Sequence, residues 1–332
     1  MSLGVTVGKF YPLHQGHAHL LREASRRCAR LAVVVGHLPG QELPGPLRAA
    51  WIQELFPEAE VLLTEEDLPE APEPWARRTL ELLGGRRPEL AFTSEAYGEA
   101  WARALGATHV AIDPARDAVP TSGTALRADL GAGWRFLTPP AKATFARRVV
   151  VLGVESSGTT TLARALAEAL GTPWVPEWGR VYWEGRQSGP APERWTPDEF
   201  LRIARGQAEL EDALARRAER VLVCDTDPLA TAVWARRYLG APAPAVEALA
   251  RARPPALYLL TEPDFGFVQD GTRESEAFRA DMHAWFAEAL EASGVPWRRV
   301  GGPPEARLAA ALEAAAPLRR FAPLRDPYTL SG

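Results

Sequence analysis

Short apolar runs alternate with amphipathic stretches along the chain. Leu3–Phe10 reads as a buried strand, and the apolar residues of His17–Ala29 recur at helical spacing. Leu31–Gly36 predicts a strand, Leu47–Phe56 a helix and Val61–Thr64 a strand. Trp75–Leu83 follows as a helix, Leu90–Thr93 as a strand, Gly98–Leu105 as a helix and His109–Ile112 as a strand. Such alternation predicts a parallel sheet with helices on both faces, whose ligands bind beyond the carboxyl ends of the strands. Pro139 and Pro140 interrupt the pattern, and Ala141–Arg147 leads to a new strand at Val149–Leu152. We therefore expect two domains, residues 1–140 and 147–325. The second continues with helices at Thr160–Leu170 and Pro197–Arg217 and strands at Val221–Cys224 and Leu257–Leu260. Helices at Glu276–Glu291 and Pro304–Ala315 close it, and the aperiodic tail from Leu318 is expected to be mobile. The halves share an alternation but no motif, so no internal repeat is read.

At 332 residues the length fits two domains, and 46% hydrophobic with 24% charged residues is globular. No apolar run approaches the roughly 20 residues that span a bilayer. No secretory leader is apparent, and the two cysteines, Cys28 and Cys224, sit in different halves. A disulfide framework is excluded and a reduced, cytoplasmic setting is expected. The net charge of −4 speaks against a general nucleic-acid binder, which would carry a basic excess. Lysine occurs only at Lys9 and Lys142, so lysine chemistry has two places to come from.

The first chemical signature is the run Gly8, Lys9, Phe10, Tyr11, Pro12, Leu13, His14, Gln15, Gly16, His17, between a predicted strand and a predicted helix. A strand-to-helix turn aims free backbone N–H groups and the positive end of a helix dipole at a ligand. Gly16 lets backbone approach closely. Two imidazoles three residues apart can both donate to phosphate oxygens. One such donor, aimed at charge developing on an α-phosphate, is worth about 3–4 kcal/mol in the transition state. His19, His37, His109 and His283 read as ordinary helix, core or surface residues. Zinc is disfavoured here because no cysteine or third ligand cluster lies nearby. A second segment, Thr121 to Arg127, suits the same site: Ser122 and Thr124 can cap a helix and bind phosphate, and Arg127 adds a planar fork of donors.

These two segments together resemble the nucleotidyltransferase superfamily, and most of all the NadR-type nicotinamide mononucleotide (NMN) adenylyltransferases. Arg48–Phe56, Thr93–Gly98, Asp113 and Arg116 fit the same pattern. The resemblance implies that an NMN phosphate attacks the α-phosphate of ATP, making NAD and pyrophosphate with Mg²⁺ and no covalent enzyme intermediate. It also implies that Trp75 stacks on the nicotinamide ring, a cation–π contact worth about 0.5–2 kcal/mol.

The second signature, Gly153, Val154, Glu155, Ser156, Ser157, Gly158, Thr159, Thr160, has P-loop spacing. Its amides would cradle phosphate and Thr160 would meet Mg²⁺. Thr159 stands where the lysine belongs, a loss of a few kcal/mol of transition-state stabilisation unless another cation compensates. The apolar run Val221–Cys224 ends in Asp225 and Asp227, placed for metal or base roles, with Asp225 a candidate magnesium ligand beside Thr160. Glu177, Trp178 and Arg180 follow the P-loop helix as a substrate-pocket segment would, and Gln207 lies on the long helix. Asp270 to Arg273 resembles a lid turn carrying an arginine over the phosphates. The order resembles the nicotinamide riboside (NR) kinase domain of the NadR family. That domain often has Trp where this chain has Pro176, so Trp174 or Trp178 would supply the stacking face.

The expected fold class is α/β: an N-terminal Rossmann-like nucleotidyltransferase domain and a C-terminal P-loop kinase-like α/β domain. Its expected partners are NMN, NR and ATP, without nucleic acid or membrane insertion; a homo-oligomer is compatible with the residues. One rival is an adenylyltransferase whose second half only senses nucleotide. Another is an NAD-responsive transcriptional regulator, disfavoured because the transferase strand starts almost at Met1. A third is a transferase acting on another phosphate, such as that of pantetheine, against which the attached kinase-like half argues.

Overall fold

In the computed structural model, residues 2–65, 68–69, 71–188, 194–264, 276–326 and 328 are described. The chain divides into two compact units, residues 1–141 with 321–332, and residues 142–320.

The first unit runs β1 (Leu3–Gly8), α1 (Gln15–Arg27), β2 (Arg30–His37), α2 (Gly45–Leu55), β3 (Glu60–Glu65), α3 (Pro72–Leu82), β4 (Leu90–Thr93), α4 (Gly98–Leu105), β5 (Thr108–Ala111) and α5 (Gly123–Ala128). Its strands pair in parallel in the order β3-β2-β1-β4-β5. The order reverses at β1, and that switch point is where ligands of doubly wound sheets sit. Val5, Ala32, Val34, Ala91 and Trp101 meet in a buried cluster on one face of the sheet.

The helix α6 (Pro139–Phe145) links the units in sequence. The proline pair, read as a break, opens this helix instead. Proline suits a first turn, where its missing N–H costs nothing.

The second unit continues with β6 (Arg147–Leu152), α7 (Thr159–Leu170), β7 (Trp174–Val175), α8 (Trp178–Gln187), α9 (Pro197–Ala215), β8 (Val221–Asp225), α10 (Pro228–Leu239), α11 (Pro244–Ala252), β9 (Leu257–Thr261), α12 (Glu276–Ser293), β10 (Trp297–Val300) and α13 (Pro304–Ala315). Its parallel sheet is ordered β10-β9-β6-β8-β7. Central strands buried on both faces read as the apolar runs Val149–Leu152 and Val221–Cys224. Two strands went unread. β7 has only two residues, and β10 carries two exposed arginines, Arg298 and Arg299.

The tail departs from expectation. A 3₁₀ turn at Ala316–Arg319 ends the second unit, and the chain beyond it groups with the first. Phe321 stacks on the buried Trp134 with ring centroids 5.4 Å apart.

Arg48 of α2 decides the shape of the loop after β1. It is fully buried and donates to the carbonyls of Leu43 (2.9 Å), Gly36 (2.9 Å) and Lys9, and to Gln41 Oε1 (2.6 Å). One planar fork ties the ends of β1 and β2 to the start of α2, which a lysine could not do. An orphaned buried acceptor costs about 1–3 kcal/mol. Arg48→Leu should therefore lower unfolding stability by about 3 kcal/mol or more, and Arg48→Lys should not restore it, as denaturant unfolding would read.

Candidate active sites

His14 is the N-cap of α1. Its Nδ1 accepts from the backbone N–H of Gly16 (3.1 Å) and of His17 (3.4 Å). The His17 Nδ1 accepts in turn from the His14 N–H at 3.4 Å. With both Nδ1 atoms accepting, the neutral rings carry their protons on Nε2. The rings stack with centroids 3.7 Å apart, and Phe10 lies edge-on to His17 at 5.0 Å. Gly16 is needed for this arrangement, since a Cβ there would sit 3.0 Å from the His14 ring.

Burial, then the Arg116 charge, pushes the His14 pKa down to about 4. His17 is also held well below its ordinary value by burial, by His14 and by Arg116, with the Pro12 carbonyl opposing. Both rings are therefore neutral hydrogen-bond donors near pH 7.

Structure joins the two segments that lie far apart in sequence. Arg127 donates from Nη1 to the Tyr11 carbonyl and from Nη2 to Thr124 Oγ1, each at 3.1 Å. Ser122 caps α5, its Oγ accepting from the Ala125 N–H at 3.1 Å. Gly8, Lys9, Phe10, Gly16, Ser122, Thr124 and Arg127 thus belong to one strand-end constellation with the histidines. Phe10 holds a left-handed φ of 51°, which turns the chain out of β1.

Two expected ligand groups are used otherwise. Asp113 spends its carboxylate on the backbone N–H groups of Asp117 (2.8 Å), Ala118 (3.1 Å) and Val119 (3.2 Å), stapling its own loop. Trp75 packs, half-buried, on the apolar cluster of the sheet face with Val7 and Leu62.

In the second unit, Gly153–Gly158 forms the loop between β6 and α7, which Thr159 opens. Ser156 and Gly158 take left-handed φ values of 61° and 83°. Ser157 Oγ bonds the Val154 carbonyl and Thr261 Oγ1, each at 2.6 Å. A Cβ on Gly153 would lie 2.2 Å from Thr261 Oγ1, so only glycine lets the end of β9 come this close. Arg307 of α13, buried, holds the loop from behind through the Ser157 carbonyl (2.6 Å), the Glu262 carbonyl (2.8 Å) and Asp264.

A cavity of about 310 Å³ opens above this loop. Glu155, Ser156, Thr159, Glu177, Arg180 and Asp225 line its polar side. Trp183, Trp195, Phe200, Trp234 and Tyr238 make an aromatic wall, with Trp195 5.2 Å from Phe200 and 5.6 Å from Tyr238. Thr160 Oγ1 donates to Asp225 Oδ2 at 2.6 Å. Burial raises the Asp225 pKa, opposed by the hydroxyls of Thr160 and Thr159 and by the Arg180 and Arg164 charges. Glu177 is pushed up to about 7 by burial and by Asp225, with Arg180 opposing and Glu155 adding to the rise.

Three expectations change here. Asp227 does not line the cavity: its Oδ1 caps α10 at the Ala230 N–H (2.9 Å) and its Oδ2 accepts from Tyr258 Oη (2.7 Å). Trp178 packs so tightly on Gly206 that a Cβ there would meet its Nε1 at 2.1 Å, and Trp174 lies beneath the Arg164 guanidinium at 4.2 Å. The wall is built from other aromatics: Trp183 on α8 and Trp234 and Tyr238 on α10, helices that carried no sequence signal, with Trp195 just before α9 and Phe200 at its start. Gln207 is a strut, accepting from the Trp178 N–H (2.8 Å) and donating to the Thr226 carbonyl (3.3 Å). Arg273 lies outside the described residues.

The molecule thus defines a class: one parallel α/β unit with a nucleotidyltransferase-type histidine turn, and another of P-loop kinase type. A family model described as an AAA domain matches residues 148–307. The chain is similar to NadR proteins over most of its length. It is 29% identical over 323 residues to the "Trifunctional NAD biosynthesis/regulator protein NadR" of Escherichia coli (strain K12), covering 90% of this chain and 78% of that one. The Salmonella typhimurium protein of the same name is 29% identical over 294 residues, 82% of this chain and 72% of that protein. Crystal structures of NadR protein, in complex with NR and with NAD and AMP-PNP, superpose with TM-scores of 0.73 and 0.71. Each is 22% identical, with 98% of both chains covered, and shares the fold.

The histidine pair predicts a pH signature. Groups whose pKa lies lower in the folded than in the unfolded chain bind more protons when unfolded, so they destabilise as pH falls below about 6.5, down to the folded value. From pH 7 to 4, the melting temperature should fall more steeply for the wild type than for His14→Asn/His17→Asn, as thermal unfolding at each pH would read.

Proposed function

We propose that this chain is a cytoplasmic NAD-salvage enzyme with two reactions in series. The second unit transfers the γ-phosphoryl group of ATP to the 5′-hydroxyl of NR. The first unit transfers the adenylyl group of ATP to the resulting NMN. The observation that carries the transferase reading is the Arg127 bond to the Tyr11 carbonyl, which gathers both phosphate-handling segments at the end of β1. Similarity to the NadR proteins supports the same reading.

In the first unit an NMN phosphate oxygen attacks the α-phosphorus of ATP. The bond from that phosphorus to the bridging oxygen breaks, and pyrophosphate leaves. Negative charge grows on the α-phosphate and the leaving group. Neutral His14 and His17 donate from Nε2, and Lys9 and Arg127 supply fixed charge. Neither imidazole attacks phosphorus. His14→Ala/His17→Ala should reduce NAD formation from NMN by about 10²-fold or more while folding normally; an undiminished rate contradicts the assignment.

In the second unit the aromatic wall suits a flat cationic ring. Glu177, poised near 7, is the carboxylate placed to accept the hydroxyl proton. Two hard oxygens 2.6 Å apart, Thr160 Oγ1 and Asp225 Oδ2, fit a magnesium ion that takes its other ligands from water and phosphate. Bound there, it would neutralise phosphate charge. Thr159 turns its hydroxyl toward Asp225, so the missing lysine must be replaced from elsewhere. Among the described cavity residues, Arg180 is the cation that lines the same side as Thr159; its side chain is 69% exposed and pairs loosely with Glu177 at 3.8 Å.

Arg180→Ala should cut NR-dependent ATP consumption by about 10²-fold, and Thr159→Lys in the same chain should recover most of it. Wild-type protein that makes NAD from NMN but consumes no ATP with NR would instead favour a nucleotide-sensing second unit.

A further inference from the structure

We infer that the C-terminal segment around Asp326 and Tyr328 is an autoinhibitory strap that competes with the triphosphate for the cations of the transferase site. The inference rests on the transferase reading of Lys9 and Arg127. The segment is held at its base by the stacking of Phe321 on Trp134 and by the Leu324 N–H, which donates to the Arg127 carbonyl at 2.9 Å. It then runs along the site. The Arg325 N–H donates to a Glu42 carboxylate oxygen at 3.1 Å, and an Asp326 carboxylate oxygen lies 3.7 Å from Arg127 Nη2. The Tyr328 N–H donates back to Asp326 Oδ1 at 2.9 Å. The Tyr328 phenol ring lies under Lys9, whose Nζ stands 3.5 Å from the ring centroid.

The chemistry of these contacts is that of a phosphate substitute. Lys9 and Arg127 are the two side-chain cations that the proposed transferase site directs at the phosphates. The strap gives one a carboxylate and the other an aromatic face, the two groups that best satisfy a cation without a phosphate. An incoming triphosphate carries several negative charges. It would bring them against Asp326 and draw Lys9 off the Tyr328 ring. Both groups cannot be satisfied together, so nucleotide binding displaces the tip of the strap while Phe321 and Leu324 keep its base in place. The contacts are exposed, so each is weak: the Asp326 side chain is 55% exposed and Tyr328 is 50% exposed. A weak, tethered competitor raises the nucleotide concentration needed without abolishing turnover.

Steady-state adenylyl transfer with varied ATP tests this in the full chain. Asp326→Asn/Tyr328→Ala should lower KM for ATP about two- to fivefold, the change that an exposed ion pair and one cation–π contact correspond to, with kcat held. An unchanged or raised KM overturns the inference; a raised KM with lowered kcat would make the segment part of the binding site instead. A second readout needs no turnover. Limited trypsin cleavage after Arg325 should accelerate when a non-hydrolysable ATP analogue is added to the wild type. Protection or indifference at that bond contradicts the strap. Wild-type protein that fails to make NAD from NMN defeats the transferase reading on its own, whatever the trypsin result.

Discussion

A buried guanidinium behind a strand-to-helix turn is the constraint on which both units depend. Turns that expose their N–H groups to a ligand leave their carbonyls pointing inward, and inward carbonyls need donors. Arg48 supplies them after β1, through Lys9, Gly36 and Leu43. Arg307 does so after β6, through Ser157 and Glu262. Each arginine comes from a helix distant in sequence from its loop, or from the far side of it, and each is nearly or wholly shielded from water. The planar five-donor fork is what lets one side chain hold several chain segments at once. The loops are thereby shaped before any ligand arrives, which is what electrostatic stabilisation of a phosphoryl transition state requires.

The electrostatics of the two sites differ in kind. The proposed transferase site keeps its imidazoles neutral, by burial and by the nearby Arg116 charge, and the proposal leaves fixed charge to Lys9 and Arg127. Neutral donors bind phosphate without demanding a counter-charge in the empty site. The kinase-like site is rich in carboxylates: Glu155, Glu177 and Asp225 share one cavity, and their mutual repulsion adds to burial in raising Glu177. Such a site suits a metal and a cationic ring more than a bare polyphosphate, and it makes the lost lysine at Thr159 more consequential. An exposed arginine, Arg180, stands beside these carboxylates as the complement the arrangement calls for.

Much of this was legible from residues alone. Gly98–Leu105, Leu90–Thr93 and Pro304–Ala315 match the observed elements residue for residue, because period and termini agree there. The histidine turn and the P-loop announced themselves through spacing. What escaped has a common cause: the information lies in tertiary contact. Arg48 enters the sequence reading only within the Arg48–Phe56 segment, and Arg307 not at all, since nothing in a helical pattern marks a buried arginine. Asp227 looked equivalent to Asp225, yet β8 ends at Asp225 and Thr226 takes a left-handed φ of 70°, which breaks the strand alternation and leaves Asp227 capping α10 and facing Tyr258. The aromatic wall is spread over α8, α9 and α10, so its members never cluster in sequence. The tail lacked periodicity, which is a statement about secondary structure and not about docking; Phe321 finds its partner on Trp134 regardless.

The central claim is that one chain holds two preshaped phosphate sites, each able to take its own ATP. Calorimetric titration of the full chain with a non-hydrolysable ATP analogue and magnesium addresses it most directly. The account predicts two nucleotides per chain, falling to one when either the histidine pair or the Gly153–Thr160 loop is disabled. A stoichiometry of one in the unmodified chain, unaffected by one of those two changes, would contradict it.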